Sequence, residues 1–179
     1  GDAGTALGAA LVIWHQMLGN ERVVDPHRQK GSYLGSEYSD DAIESYLKEN
    51  DIPYERLPEE GLAAHVADLI AAEHVTGWFQ GPMEFGPRAL GGRSILGDAR
   101  SRDMQTTLNL KIKFRESFRP FAPSVLREHV SDCFDLDEES PYMLVVADVK
   151  SDRLAALSSE EAQVSGFDKL SQIRSDLPA

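Results

Sequence analysis

The feature that most constrains the fold of this 179-residue chain is a stretch rich in glycine and arginine at residues 81–101. The residues before it, 75–80, have the composition of a β-strand. After it, Met104, Leu108 and Ile112 recur at the spacing of a helix. A glycine-rich stretch of this length favours neither element, so we predict a long loop that joins a strand to a helix.

Shorter patterns predict further elements on both sides of this loop. A helix is expected to begin after Ser39, a suitable N-cap, and apolar stripes predict helices within residues 61–74 and 126–134. Residues 52–57 and 142–149 have strand composition. Strands that alternate with helices indicate an α/β fold or an α+β fold.

Basic residues are concentrated in one part of an acidic chain. The whole sequence has 18 basic and 30 acidic residues and a net charge of −12, whereas residues 81–120 hold eight basic and four acidic side chains. Because nucleic-acid phosphates need cations, we expect no nucleic-acid partner and instead one local anion-binding site.

Two further counts narrow the class of protein. No apolar run reaches the roughly 18–20 residues of a membrane span, so no membrane partner is expected. The single cysteine, Cys133, excludes an internal disulfide framework and is typical of a reducing compartment. We therefore expect a cytoplasmic protein.

The first cation-rich segment lies within the predicted loop. Glycines such as Gly86 let backbone amides approach a ligand, Arg88 and Arg93 can each hold phosphate or carboxylate oxygens with two N–H groups, and Ser94 adds a hydroxyl. No Gly-Lys-Ser/Thr sequence ends the loop, so it is not a Walker loop. Glu84 fits either an acid–base role or an ion pair with a nearby arginine.

The second cation-rich segment follows the predicted helix. An extended backbone would place Lys111, Lys113 and Arg115 on one side, and Arg119 lies a few residues further along. An isolated arginine or lysine is usually a solvated surface charge. Taken together, however, the two segments predict a site for a polyphosphate.

Three motifs occur in a fixed order: Met83-Glu-Phe-Gly-Pro-Arg-Ala-Leu-Gly-Gly-Arg-Ser-Ile-Leu96, Arg115-Glu-Ser-Phe-Arg-Pro-Phe-Ala-Pro-Ser-Val125 and Ser140-Pro-Tyr-Met143. They resemble the C-terminal region of the O-carbamoyltransferase family, which includes NodU-type nodulation proteins and carbamoyltransferases of antibiotic biosynthesis. Residues 1–10 and 33–41 are also similar to the family, so the resemblance covers most of the chain.

The resemblance implies two modules. Residues 31–179 would form a YrdC-like domain, a twisted mixed sheet flanked by helices and incomplete at its C-terminus, and residues 1–30 would be the end of an actin-fold-like N-terminal module with its connector. The YrdC-like module would form carbamoyl-adenylate from carbamoyl phosphate and ATP. The N-terminal module of the same polypeptide would then transfer the carbamoyl group to a sugar or natural-product hydroxyl, using a divalent metal such as iron or magnesium.

The resemblance also implies residue roles. Arg88, Lys113 and Arg119 would contact carbamoyl phosphate, the ATP phosphates or the adenylate. The nucleotide would further be bound by Gly86, Arg93, Ser94, Arg115 and Met143. Asp2 resembles the metal-ligand aspartate of the actin-fold module.

Two departures from the family pattern bear on activity. Pro82 stands where the family usually has an arginine, and a later Asn-Thr-Ser-Phe-Asn segment is absent from this chain. We therefore expect that the isolated chain cannot carry out transfer. The same residues also fit a threonylcarbamoyl-adenylate synthase-like enzyme, which takes threonine, bicarbonate and ATP, or a non-catalytic anion- or RNA-binding module.

Overall fold

The computed structural model describes residues 4–25, 28–101, 103–154, 156–166 and 169. Within them lie the helices α1 (Gly4–Val12), α2 (Asp40–Glu49), α3 (Leu62–Ala71), α4 (Met104–Thr107) and α5 (Val130–Cys133). The strands β1 (Thr76–Phe79) and β2 (Arg93–Leu96) pair as a small antiparallel sheet. The chain is therefore an α/β mixed fold, as the sequence predicts.

Several single turns of helix complete these elements. The π-helical turns Ile13–Met17 and Leu108–Ile112 extend α1 and α4. Turns of 3₁₀-helix occur at Lys30–Ser32, Arg127–His129, Ser151–Arg153 and Glu161–Gln163. None of the helices in the described ranges has the length and apolar character that a membrane crossing requires.

The predicted helices are confirmed at each position. Ser39 caps α2, because its Oγ accepts a hydrogen bond from the Ala42 amide at 3.2 Å. Asp40 and Asp41 occupy the first turn, where carboxylates interact favourably with the helix dipole. The apolar stripes predicted within residues 61–74 and 126–134 contain α3 and α5.

Three predictions about extended structure need correction. The loop at 81–101 contains β2, which pairs with β1, so it is shorter than expected. The predicted strands at 52–57 and 142–149 do not form in the described part of the chain, apart from a bridge between Phe134 and Val149. A segment with the composition of a strand forms one only when a neighbouring strand completes its hydrogen bonds. These two segments have no such neighbour among the described residues.

Contacts divide the chain into two units. The first comprises the described residues of Gly1–Glu59, Gly77–Ser94 and Ser140–Val145, and the second those of Glu60–Thr76, Ile95–Glu139 and Val146–Ala179. In the first unit the backbone of residues 32–36 pairs with that of 83–85; the Gly35 amide, for example, donates to the Met83 carbonyl at 2.8 Å.

The second unit has a small apolar core around α4. Met104 and Leu108 are 5% and 6% exposed, and Gly97 lies so close that an added Cβ would be 2.8 Å from the Met104 sulfur. Ile112, the third member of the predicted stripe, is 40% exposed. The π turn holds more residues than an α turn and so changes which side chain faces inward. Asn109, rather than Ile112, is buried there.

Candidate functional site

Glu84 is the centre of the first cation-rich segment. Its side chain is 0% exposed. Its Oε1 accepts hydrogen bonds from the backbone amides of Leu90, Gly92 and Arg93 at 2.7, 2.7 and 3.2 Å. Its Oε2 accepts from Nε of Arg93 at 3.2 Å. We call Glu84 and these three amides the Glu84 cradle, because together they fold the loop back onto one carboxylate.

The cradle keeps Glu84 ionised. Burial acts to raise the pKa of Glu84, but hydrogen bonds from the backbone amides of Leu90, Glu84 itself, Arg93 and Gly92 together lower it by more, so the pKa lies below its ordinary value. Of the two roles that the sequence left open, the structure therefore shows the ion-pair partner. A carboxylate with its oxygens already engaged and its pKa lowered is poorly suited to accept or deliver a proton near neutral pH.

Arg93 is held on several sides by this loop. In addition to its Glu84 contact, its Nη2 donates to the Gly86 carbonyl at 2.6 Å. Gly86 has a φ of 118°, a conformation that favours glycine. Two predicted site residues, Gly86 and Arg93, are therefore brought together. Arg93 keeps 37% of its side chain exposed, so part of the guanidinium stays accessible to an anion.

We predict that the free energy of unfolding decreases at acid pH, because Glu84 becomes protonated there. Since the folded-state pKa lies below the ordinary value of 4.5, the stabilisation is complete above that pH and is lost as the pH falls through the folded-state pKa. Unfolding free energies measured by denaturant titration between pH 6 and pH 3 are expected to decline in the lower half of that range. A protein whose stability is constant across this interval would contradict the prediction.

Gly92 and Tyr33 close the loop from the other side. The Tyr33 hydroxyl donates to the Leu90 carbonyl, and its ring lies against Gly92. A Cβ at position 92 would lie 2.9 Å from the Pro82 carbonyl oxygen and 3.3 Å from Cδ of Glu84. Only the absence of a side chain lets the Gly92 amide reach the carboxylate.

We therefore expect Gly92→Ala to destabilise the protein by about 1–3 kcal/mol, because the added methyl group overpacks the loop. Denaturant unfolding measures this change. Gly8→Ala is the matched control, since a Cβ at Gly8 meets no atom within 4 Å. Equal effects of the two substitutions would show that the crowding at Gly92 is unimportant.

The second cation-rich segment is organised by Asn109. This residue is 0% exposed. Its Nδ2 donates to the carbonyls of Ser117 and Arg119 at 2.9 and 2.8 Å, and its Oδ1 accepts from Nε of Arg115 at 2.6 Å. The buried Asn109 amide thereby attaches residues 111–119, which we call the cation segment, to the π turn that follows α4.

Arg115 and Arg119 differ in how they are held. Arg115 is half-buried, and its guanidinium carbon lies 4.8 Å from the centre of the Phe121 ring, a cation–π contact. Arg119 is 53% exposed on its side chain and forms a long ion pair of 3.8 Å with Glu116. The segment is a turn rather than the extended stretch that the sequence predicted, because its carbonyls converge on Asn109.

Arg88 and Lys113 are the most available cations among the predicted site residues. Both are exposed, and within the described residues neither has a carboxylate at ion-pair distance. By contrast, Arg100 is paired with Asp98 at 2.8 Å, and the pKa of Asp98 is lowered to about 2 by that guanidinium. An exposed cation that has no protein partner is free to take up a ligand anion.

The other predicted site residues lie in defined positions. Ser94 is half-buried in β2. Met143 is 47% exposed, with a φ of 53°, in a turn of the first unit. Asp2 lies outside the described residues. Among the described residues, no group of three histidine, cysteine, aspartate or glutamate side chains could hold a metal ion.

Three residues that organise these loops were missed or left open by the sequence. Asn109 carried no motif of its own, Tyr33 lay in the family-like stretch 33–41 without a predicted role, and Glu84 was ambiguous. A polar residue beside the apolar stripe of α4 was a usable signal for Asn109. Nothing in the sequence indicates the contact between Tyr33 and Leu90, because 57 positions separate the two residues.

These features define an α/β mixed fold with two loops that present arginine and lysine, one organised by Glu84 and Gly92 and the other by Asn109. A profile of the family described as "Carbamoyltransferase C-terminus" matches residues 67–172, more than half of the chain. The chain belongs to this carbamoyltransferase C-terminal family.

Three curated proteins illustrate what the chain is similar to. An uncharacterized protein of Synechocystis sp. is 56% identical over 100% of this chain and 30% of its own length. The nodulation protein NolO of Bradyrhizobium diazoefficiens is 39% identical over 83% of this chain and 27% of its own length. The 3′-hydroxymethylcephem-O-carbamoyltransferase of Streptomyces clavuligerus is 34% identical over 84% of this chain and 26% of its own length. The chain thus spans less than a third of the length of these relatives.

Proposed function

We propose that this chain is the nucleotide-binding, YrdC-like part of an ATP-dependent O-carbamoyltransferase. Membership of the carbamoyltransferase C-terminal family is the observation that carries the proposal. The similarity to a cephem O-carbamoyltransferase and to nodulation proteins supports it. The available cations Arg88 and Lys113 fit the charge of the substrates.

The proposed reaction forms a carbamoyl-adenylate. Carbamoyl phosphate, ATP and one water yield carbamoyl-adenylate, inorganic phosphate and pyrophosphate. An acceptor hydroxyl of a sugar or natural product then attacks the carbamoyl carbon, its proton is lost, and AMP leaves. Both stages bring several negative charges together, so fixed cations stabilise them.

The residues of this chain bind and orient the anions. Arg88, Lys113 and Arg119 would contact the phosphates of carbamoyl phosphate, of ATP or of the adenylate. Arg88 and Arg119 can each offer two parallel N–H groups to phosphate oxygens, whereas Lys113 acts as a point charge. The nucleotide would be bound further by Gly86, Arg93, Ser94, Arg115 and Met143.

The remaining steps belong to a longer polypeptide. We assign residues 1–30 to the end of an actin-fold-like module with its connector and residues 31–179 to the YrdC-like domain. The acceptor and a divalent metal would be bound by the N-terminal module. Asp2, the metal ligand that we propose for that module, lies outside the described residues. We place the full-length protein in the cytoplasm.

The test is ATP–pyrophosphate exchange by the full-length polypeptide. We expect exchange to require carbamoyl phosphate. Exchange supported by threonine with bicarbonate instead would identify a threonylcarbamoyl-adenylate synthase-like enzyme and overturn the proposal. No exchange with either substrate set, together with salt-dependent binding of RNA, would indicate a non-catalytic module.

A further inference from the structure

Asn109 holds the cation segment through hydrogen bonds of both its backbone and its side chain. The segment follows the π turn Leu108–Ile112, and the amide of Arg115 donates to the Asn109 carbonyl at 3.0 Å. The side chain of Asn109 uses both of its donor hydrogens on Ser117 and Arg119 and its acceptor on Arg115. One wholly buried residue therefore fixes both the backbone of the segment and the direction of one of its guanidinium groups.

The same contacts leave part of Arg115 available. Asn109 engages only Nε, and the Phe121 ring covers one face of the guanidinium. Among the described residues, no carboxylate lies at ion-pair distance from its Nη atoms. A guanidinium that is held by its Nε edge and stacked on a ring is pre-organised, so little side-chain entropy is lost when it binds an anion.

The hydrogen bonds from Asn109 also oppose the electrostatic repulsion between the cations of the segment. Lys111, Lys113, Arg115 and Arg119 are four cations within nine residues, with Glu116 as the single acidic side chain among them. Unrestrained, such a segment would spread apart, because like charges repel. The carbonyls of Ser117 and Arg119 point to Asn109, which keeps the turn closed while no ligand is bound.

We infer that Asn109 is a positioning residue for polyphosphate binding, acting through Arg115 and the backbone of the cation segment. This inference rests on the proposed function for its ligand, the triphosphate of ATP. Asn109 itself is buried and does not touch the ligand. Its role is to hold the segment in its binding conformation before the ligand arrives.

The experiment compares Asn109→Asp with Gln105→Ala in the full-length polypeptide. Aspartate keeps the shape and the contact with Arg115, but it cannot donate to the carbonyls of Ser117 and Arg119. Gln105 also donates to the Phe118 and Arg119 carbonyls, at 3.2 and 3.1 Å, but it is only half-buried, so water can replace its hydrogen bonds when it is removed. It is the control for a backbone contact on the same segment that is not buried. Asn109→Ala, which introduces no charge, serves as the second variant if the aspartate variant fails to fold.

We expect the KM for ATP and the Kd for inorganic pyrophosphate, measured by calorimetry, to rise about tenfold in the Asn109 variants, the equivalent of one charge-assisted hydrogen bond. In the Gln105 variant they should change by less than about threefold. A merely structural role would lower the fraction of active enzyme, and so the apparent kcat, with KM and Kd unchanged. That outcome in a folded variant would overturn the inference.

The two proposals fail in different ways. If the wild type binds pyrophosphate but shows no carbamoyl-phosphate-dependent exchange, the proposed function fails while the role of Asn109 is still read from the pyrophosphate Kd. If exchange is present and both Asn109 variants bind pyrophosphate like the wild type, the proposed function stands and the positioning role is wrong.

Discussion

Arg88→Ala in the full-length polypeptide is expected to reduce carbamoyl-phosphate-dependent ATP–pyrophosphate exchange by about a hundredfold to a thousandfold, the usual effect of removing one pre-organised donor to developing charge. Arg88 is exposed and has no carboxylate partner among the described residues, so its removal leaves no protein group unpaired. The loss should therefore appear in exchange and not in the melting temperature.

Two comparisons make this result specific to the guanidinium. Arg88→Lys should retain part of the activity, because lysine supplies the charge but not the two parallel N–H groups. Arg127→Ala removes another exposed arginine, one that pairs with Glu139, and should leave exchange unchanged. Wild-type exchange by the Arg88→Ala enzyme would remove Arg88 from the proposed site.

Glu84→Gln is expected to give the largest loss of stability, about 2–4 kcal/mol in the free energy of unfolding. The amide keeps the size of the side chain, but its NH₂ group must face either the amides of the cradle or Nε of Arg93, all of which are donors. The estimate allows for the partial exposure of Arg93, which weakens the ion-pair contribution. Denaturant unfolding gives the magnitude, and hydrogen exchange at residues 84–93 locates it.

Glu116→Gln is the matched control for this loss. Glu116 pairs with Arg119 at 3.8 Å and is 62% exposed, so its removal should change the free energy of unfolding by less than about 1 kcal/mol. The Glu84→Gln protein should also lose the part of the acid dependence that comes from Glu84, because glutamine does not titrate. Equal losses from the two substitutions, or unchanged protection of the Leu90 and Gly92 amides, would contradict the description of the cradle.

The helices were predictable because their signals are local. Ser39 and the two aspartates after it define the start of α2 within a few residues, and Met104, on α4, is four positions from Leu108, the first residue of the π turn. The predicted strand at 142–149 was wrong for the opposite reason. A strand forms only when it pairs with another strand, which is usually distant in the sequence. A local pattern does not indicate whether such a pairing strand is present.

The candidate site shows the same division. The loop motif, the concentration of arginine and lysine and the family membership were all legible in the order of the residues. The contacts that each of these cations makes in the structure could not be predicted from the sequence. Arg93 is engaged by Glu84 and Gly86, Arg115 by Asn109 and Phe121, and Arg88 by no carboxylate in the described ranges.

The sequence by itself determined which family this chain belongs to, which segments contain its helices and which carry its cations, because each of these depends on residue types at short spacing. Only the tertiary structure decided that Glu84 folds the loop around itself and that a π turn buries Asn109 beneath the cation segment. Both depend on backbone amides and carbonyls, which residues other than proline supply whatever their side chain, and on how closely the chain lets them approach a single side chain.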